Sequence, residues 1–273
     1  MGSMDEVKRV ANLMRIDVIK AISEAGSGHP GGSLSAVDIL ATLYFYKMKI
    51  DPQNPQMEDR DKFVLSKGHG APALYAALGQ RGYFPSEDMY QLRKLGSSFQ
   101  GHPDMKKVPG VEMSTGSLGQ GFSAAVGMAL ANRLDNKKSK VYVLLGDGEL
   151  QEGIVWEAAM SAAHYKLDKL VAILDNNGLQ IDGRNDDVMK VEPIYEKFES
   201  FGWEILQVDG HNVEEIAQAL DEADEVIGKP ILIIAHTIKG KGVSFMEDEV
   251  GWHGKAPSVE ETEIALKELG GAE

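Results

Sequence analysis

Apolar residues at Val7, Val10, Met14, Val18 and Ile22 recur every three to four positions, the spacing of one buried helical stripe, and predict a helix over 5–25. Gly26 ends it. The loop GSGHPGGS follows, and a second apolar helix is predicted over about 35–48, stopping before the turn-rich DPQNPQ. Five short runs carry a different signature. KFVLS, KVYVLL, LVAIL, WEILQV and ILIIA are rich in Val, Ile and Leu without polar alternation, and read as strands buried on both faces. Helical spacing fills the gaps between the last four, over about 154–165, 194–201 and 213–226. Strand–helix alternation of this kind predicts an α/β fold, a parallel sheet with helices on both faces. No linker, repeat or low-complexity segment divides the chain, so residues 4–273 read as one domain with a helical N-terminal portion. The MGS before Met4 reads as an expression scar.

Composition narrows the function classes. A chain of 273 residues buries roughly three quarters of the surface its unfolded form exposes, enough for a large core. Asp and Glu number 42 against 28 Lys and Arg, a formal net charge of −14, and no basic block is present to follow a phosphodiester backbone; nucleic acid is not expected as a partner. The absence of cysteine removes disulfides, thiolate nucleophiles and cysteine-type zinc sites. No apolar run reaches the ~18 residues of a membrane span, and the start has no signal-peptide core, so the expectation is a soluble cytoplasmic protein without a membrane partner.

The candidate chemistry gathers after the strands. GDGELQEG, DNNGLQIDG, DGHN and HTIKGKG each follow a predicted strand, and in open α/β sheets that C-terminal edge is where ligands bind. Asp-Gly and Asn-Gly also make ordinary turns, but four such loops on one edge favour a site. Asp147 stands between Gly146 and Gly148, where backbone N–H groups can approach a ligand beside an outward carboxylate. A helix beginning near Glu152 adds an N-terminus that favours an anion. A carboxylate and an anion site side by side make sense with a hard divalent cation between them. Asn177 supplies an amide oxygen and the bend after it a carbonyl such as that of Leu179, a donor set suited to Mg²⁺ or Ca²⁺ with positions left for phosphate oxygens. The turn therefore reads as the seat of a metal-bound diphosphate.

GDGELQEG followed about thirty residues later by LDNNGLQIDG resembles the cofactor motif of thiamine-diphosphate enzymes. GSGHPGGSLS, LSKGHGAPALYAAL, GHPD, GVEMSTGSLGQGFSAAVGMA and VGWHGKAP narrow the resemblance to transketolases, in the family's order and over nearly the whole chain. The resemblance implies a thiamine-diphosphate-binding fold of the diphosphate type. It implies that Asp147, Asn177 and the Leu179 carbonyl hold Mg²⁺ or Ca²⁺, and that Gly146, Gly148 and Glu149 border the diphosphate, with His69 and His253 near it. Gly116 and Leu118 would touch the rings of the cofactor, and Ile181 would pack on its thiazolium. Glu152, by its position a favourable charge in a helix's first turn, would join a carboxylate network across a subunit interface. Two departures are Ser117, where many transketolases have proline, and Ala71, where serine is frequent.

Five of the seven histidines, His29, His69, His102, His211 and His253, neighbour a glycine, which suits exposed loops better than core packing. His164 and His236 look structural, and His211 reads as a surface or hydrogen-bonded residue. His29, His69, His102 and His253 fall on family positions, which implies binding of sugar hydroxyls and proton movement at the donor carbon; neutral imidazoles that donate and accept fit that work. Zinc ligation is the alternative, but no HExxH or similar spacing is present.

The family's activating glutamate, its substrate-phosphate arginines and the aromatic residue under the pyrimidine lie on a second domain that this sequence does not contain. ALKELGGAE closes a predicted helix, so the chain reads as finished there. The expectation is the N-terminal subunit of a split transketolase. With a separate C-terminal chain carrying the pyrimidine-binding domain, in a heterotetramer of two of each, it would move a two-carbon ketol unit between sugar phosphates and be inactive alone. Two alternatives stay open: a subunit of another thiamine-diphosphate enzyme, 1-deoxyxylulose-phosphate synthase-like or ketoacid dehydrogenase-like, and a non-catalytic scaffold with the cofactor fold.

Overall fold

Within the central strand VYVLLG, side chains alternate between two cores: Val141, Val143 and Leu145 enter one, Tyr142 and Leu144 the other. That is the period of two expected of a strand covered on both faces. The computed structural model describes residues 2–271; the final two residues of the expected domain and the first of the expected scar lie outside the described residues.

In chain order the elements are α1 (Met4–Ala25), α2 (Pro30–Leu34), α3 (Val37–Thr42), β1 (Lys62–Leu65), α4 (Ala71–Arg81), α5 (Gln120–Leu134), β2 (Val141–Gly146) and α6 (Gly153–His164). Then come β3 (Leu170–Asn176), β4 (Leu179–Gln180), β5 (Gly183–Arg184), α7 (Asn185–Val188), α8 (Ile194–Phe201), β6 (Glu204–Asp209), α9 (Val213–Glu225), β7 (Ile231–His236) and α10 (Val259–Glu268). The five long strands form one parallel sheet in the order β1-β2-β3-β7-β6, and β4 with β5 makes a small antiparallel ribbon beside it. Helices α5, α6 and α8 cover one face through Phe122, Val155, Ala159 and Phe198; α1, α3, α4 and α9 cover the other through Met14, Ile39, Leu74 and Ile216. Among the described residues no helix is long and apolar enough to cross a membrane.

Three sequence expectations need correction. The apolar segment over 35–48 is not one helix: α2 begins earlier, inside the histidine loop, and α3 ends in a π-helical turn over Leu43–Lys47. Pro30 starts α2 because the first helical position has no use for the N–H that proline lacks. Ser35 and Ala36, between α2 and α3, keep right-handed helical dihedrals, and the Ser35 hydroxyl donates to Asp175 on β3 at 2.6 Å. Second, β6 is not buried on both faces; it is one of the two edge strands, and only Val208 of its six residues is buried. Third, α1 starts one residue earlier than the spacing predicted, with the Ser3 hydroxyl accepting from the Glu6 N–H at 3.2 Å, and ends on Gly26 in the left-handed region, φ 61°.

Parallel register brings the ends of β1, β2, β3 and β7 to one edge. Leu65 pairs with Leu144, Gly146 with Asp175, and Asn176 with His236. The glycine-rich and polar loops all leave the sheet along that edge.

Candidate functional site

A cleft of about 350 Å³ opens there, floored by Lys67 from the end of β1, Gly146–Glu149 from β2, Asn177 and Leu179 just past β3, and Lys239 just past β7. Gly116, Leu118, Glu152, Ile181, His69 and His253 complete its walls. The sequence expectation placed these loops together, and the fold brings them together. A larger cleft, about 610 Å³, sits at the opposite, N-terminal edge, where Lys47 and Lys140 are paired with Asp221 and Asp224.

Asp147 is 2 % exposed, and its oxygens accept from the Gly148 N–H at 2.8 Å and the Gly178 N–H at 2.5 Å. Burial, with Asp175 nearby, pushes its carboxyl up to about 6. Neither amide neutralises the charge, so this is a buried carboxylate suited to a cation. Asn177 Oδ1 lies 3.1 Å from the Leu179 N–H, and the Leu179 carbonyl accepts from Lys239 Nζ at 3.1 Å. Carboxylate, amide and carbonyl oxygens at one rim fit a hard divalent cation. Among the described residues no three His, Asp or Glu side chains converge as a metal-ligating set.

Glu149 serves a different purpose from its neighbours. It is 2 % exposed and accepts from the Ser66 hydroxyl, from Gly119 N–H at 2.7 Å and from Gly146 N–H at 3.0 Å. Its carboxylate ties three loops together rather than reaching into the cleft. Gly116, a few residues before this tie, has φ 148°, and a Cβ there would stand 3.0 Å from the His102 ring. Only glycine brings the 116–118 backbone that close. Ile181, on the β4–β5 ribbon, is 62 % exposed although it is a large aliphatic residue at the cleft wall. Glu152 is exposed at the rim, where it begins α6.

Four histidines form one cluster. The His29 ring centroid lies 5.4 Å from His69, 5.5 Å from His253 and 6.3 Å from His102, and His69 lies 5.2 Å from His253. Burial first, then nearby cations, holds all four below the usual imidazole range: His29 at about 4 with Arg93 beside it, His253 at about 3 with Lys239 beside it. His69 is driven well down by burial and Lys67, and His102 by burial and Arg93. They are neutral near pH 7 and can each donate and accept one hydrogen bond. His164 and His236 lie outside this cluster, both exposed. His211 is not an exposed loop residue; its side chain is 12 % exposed and hydrogen-bonded at both ring nitrogens.

Sequence reasoning missed the two lysines. Lys67 is 1 % exposed and donates to the Gly32 carbonyl at 2.8 Å and to Asp175, which is fully buried. Burial opposes ionisation of Asp175, but the Lys67 ammonium, with the Ser35 and Thr237 hydroxyls, holds its carboxyl below the ordinary range. Lys239, 2 % exposed, lies 3.0 Å from His253 Nδ1 and is lowered to about 8 by burial and the neighbouring Lys67. Two ammonium groups beside a buried carboxylate give the cleft both signs of charge. The available signal was position: both lysines fall just past the ends of β1 and β7.

The profile of the family described as "Transketolase, thiamine diphosphate binding domain" matches residues 6–272. A 6-deoxy-6-sulfo-D-fructose transketolase subunit of Clostridium sp. (strain MSTE9) is 47% identical over 264 residues, which cover 97% of this chain and 96% of that relative. One of the subunits of an apulose-4-phosphate transketolase from Phocaeicola vulgatus is 44% identical, over 97% of this chain and 93% of its own. The crystal structure of transketolase from Campylobacter jejuni superposes with a TM-score of 0.92 at 38% identity; the match covers 100% of this chain and 44% of that longer one.

Proposed function

The chain belongs to the transketolase family through its thiamine-diphosphate-binding domain, and from that membership we propose that it is the diphosphate-binding subunit of a two-chain transketolase. The observation that carries this reading is the meeting, in one cleft, of a metal-suited oxygen set, two ammonium groups and the neutral imidazoles of His69 and His253, with His29 and His102 clustered beside them. Asp147, Asn177 and the Leu179 carbonyl hold Mg²⁺ or Ca²⁺. Lys239 and the amides around Gly148 bind diphosphate oxygens, with His69 and His253 beside them. Gly116, Leu118 and Ile181 cover the rings. When bound, thiamine diphosphate supplies the nucleophilic carbon and the electron sink that ketol transfer requires.

The chain's own residues orient and exchange protons. His29 and His102 take the donor sugar's hydroxyls, and His253 and His69, kept neutral by burial, accept or return a proton without first having to lose one. Glu152, exposed at the rim, meets the carboxylates of the neighbouring subunit. The partner is a separate C-terminal chain carrying the pyrimidine-binding domain. Residues 4–273 act as one unit in a cytoplasmic heterotetramer of two of each chain, and the substrates are a ketose phosphate and an aldose phosphate. The outward face of α5, with the small residues Ala124 and Gly127, permits the close helix approach that such an assembly needs.

The test assays the purified chain with thiamine diphosphate and Mg²⁺ for transfer between xylulose 5-phosphate and ribose 5-phosphate, then repeats it with the partner and measures mass in solution. Activity only with the partner, in a heterotetramer, is expected. Full activity from this chain free of any co-purifying subunit would overturn the half-enzyme reading.

A further inference from the structure

The loop over 237–242 carries Lys239, and it is held from beneath by three groups that the cleft itself does not contain. The turn after β6 presses onto it: the Gly210 N–H donates to the His236 carbonyl at 2.8 Å, and a Cβ at Gly210 would stand 2.4 Å from Thr237 Cγ2. This places the next residue, His211, under the loop. The Ile238 N–H donates to His211 Nε2 at 2.8 Å, and a backbone amide can only donate, so Nε2 carries a lone pair. The proton is therefore on Nδ1, which lies 2.8 Å from Asp38 Oδ2 on α3. The same Asp38 oxygen accepts from Arg15 Nη2 at 2.5 Å, and Arg15 Nε reaches the Lys241 carbonyl at 3.2 Å. The loop is thus gripped on either side of Lys239, at the Ile238 amide and at the Lys241 carbonyl, with both grips converging on one carboxylate that is 5 % exposed.

We propose that His211, backed by Asp38 and Arg15, is a positioning residue that fixes the backbone of the 237–242 loop and thereby aims the Lys239 ammonium into the cleft. From Lys239 onward the loop has backbone ties of its own, the Lys239 carbonyl accepting from the Asp248 N–H at 2.9 Å and the Gly240 N–H donating to the Gly31 carbonyl at 3.0 Å, while the residue before Lys239 is held by His211. The Lys239 side chain ends on the Leu179 carbonyl and His253 Nδ1, both of them parts of the cleft rather than of the scaffold. The register of its reach is set by its backbone, and His211 fixes that backbone on the N-terminal side of Lys239, at the Ile238 amide. Groups that hold metal ligands in place set the scale: loss of one typically costs about 10–100-fold in affinity. The consequence for binding rests on the cofactor reading above; the bracing itself does not.

The experiment uses the full chain with His211→Ala and His211→Gln, and Lys239→Ala as a separate control. A glutamine amide presents an acceptor and a donor on one carbon, as the imidazole does, so it can bridge Ile238 and Asp38. Hydrogen exchange of peptides spanning 237–243, without cofactor, should be at least about tenfold faster in His211→Ala and near wild type in His211→Gln. With the partner chain present, thiamine diphosphate and Mg²⁺ should bind about tenfold more weakly to His211→Ala, with turnover at saturating cofactor within about threefold of wild type. Unchanged exchange over 237–243 in His211→Ala would overturn the proposal, as would a loss that His211→Gln shares in full. Lys239→Ala with undiminished cofactor affinity would refute the cofactor reading of Lys239 while leaving the exchange result to judge the bracing.

Discussion

Replacing Lys67 with methionine removes the ammonium from beside a carboxylate that has no water to turn to. The side chains of Lys67 and Asp175 are 2% and 0% exposed. Breaking a buried pair from one side typically costs about 3–5 kcal/mol. The structure sets a ceiling of the same size. Orphaned, Asp175 will take up a proton rather than stay charged, and protonating at pH 7 a group whose ordinary value is 3.8 costs about 4 kcal/mol at roughly 1.36 kcal/mol per unit. That ceiling moves with pH. In Lys67→Met the folded-state value of Asp175 rises above 3.8, so the fold binds the proton more tightly than the unfolded chain, and stability is recovered as pH falls. The loss should shrink from about 4 kcal/mol at pH 7 to about 2 kcal/mol at pH 5. In the wild type Asp175 lies below 3.8, and its contribution is constant from pH 5 to 8, being lost only in stronger acid. Urea unfolding of both chains at pH 5, 6, 7 and 8 reads the difference. The double variant Lys67→Met/Asp175→Asn should regain most of the loss at pH 7, because the Ser35 and Thr237 hydroxyls still have an amide to bond. A pH-independent loss, one below about 1 kcal/mol at pH 7, or a double variant no more stable than the single, would refute the reasoning.

Asp147→Ala should leave the fold intact and abolish the extra thermal stabilisation that thiamine diphosphate with Mg²⁺ gives over either alone, measured with the partner chain present; equal shifts in both proteins would remove Asp147 from the metal site. The His253 imidazole, held at about 3, resists a proton that the unfolded chain accepts near 6.5, so it costs the fold stability as pH drops below 6.5. His253→Gln should therefore gain in urea midpoint relative to the wild type between pH 6.5 and 5, and a constant difference across that interval would contradict a depressed His253.

The sheet was legible because buried parallel strands leave a mark in composition alone: VYVLL and ILIIA have no alternation to confuse them with surface strands, and both are fully buried in the structure. WEILQV carries the same mark yet lies at the edge, since a run of apolar residues says that a strand is covered but not from how many sides. Asp147 and Asn177 were legible for a local reason: Asp-Gly and Asn-Gly after a strand are rare enough in combination to point at a ligand. Glu149 lies on the cleft floor, but sequence adjacency to that turn says nothing about the direction of its carboxylate, which points back toward Ser66 and Gly119. Lys67 and Lys239 left no such mark. In sequence a lysine beside glycine reads as solvated, and what buries these two is the register of β1 against β2 and of β3 against β7, which sets each just past a strand end and turns it inward. Burial lowers Lys239 to about 8, and the imidazoles around it are depressed first by their own burial and then by the neighbouring cations, Lys67 and Lys239 among them. The electrostatic character of the cleft thus comes from the residues least visible in the chain, while the motif residues supply its shape. A metal-suited carboxylate can be read from a turn; the ammonium groups that would make the same turn hospitable to a diphosphate follow only from how four strands align.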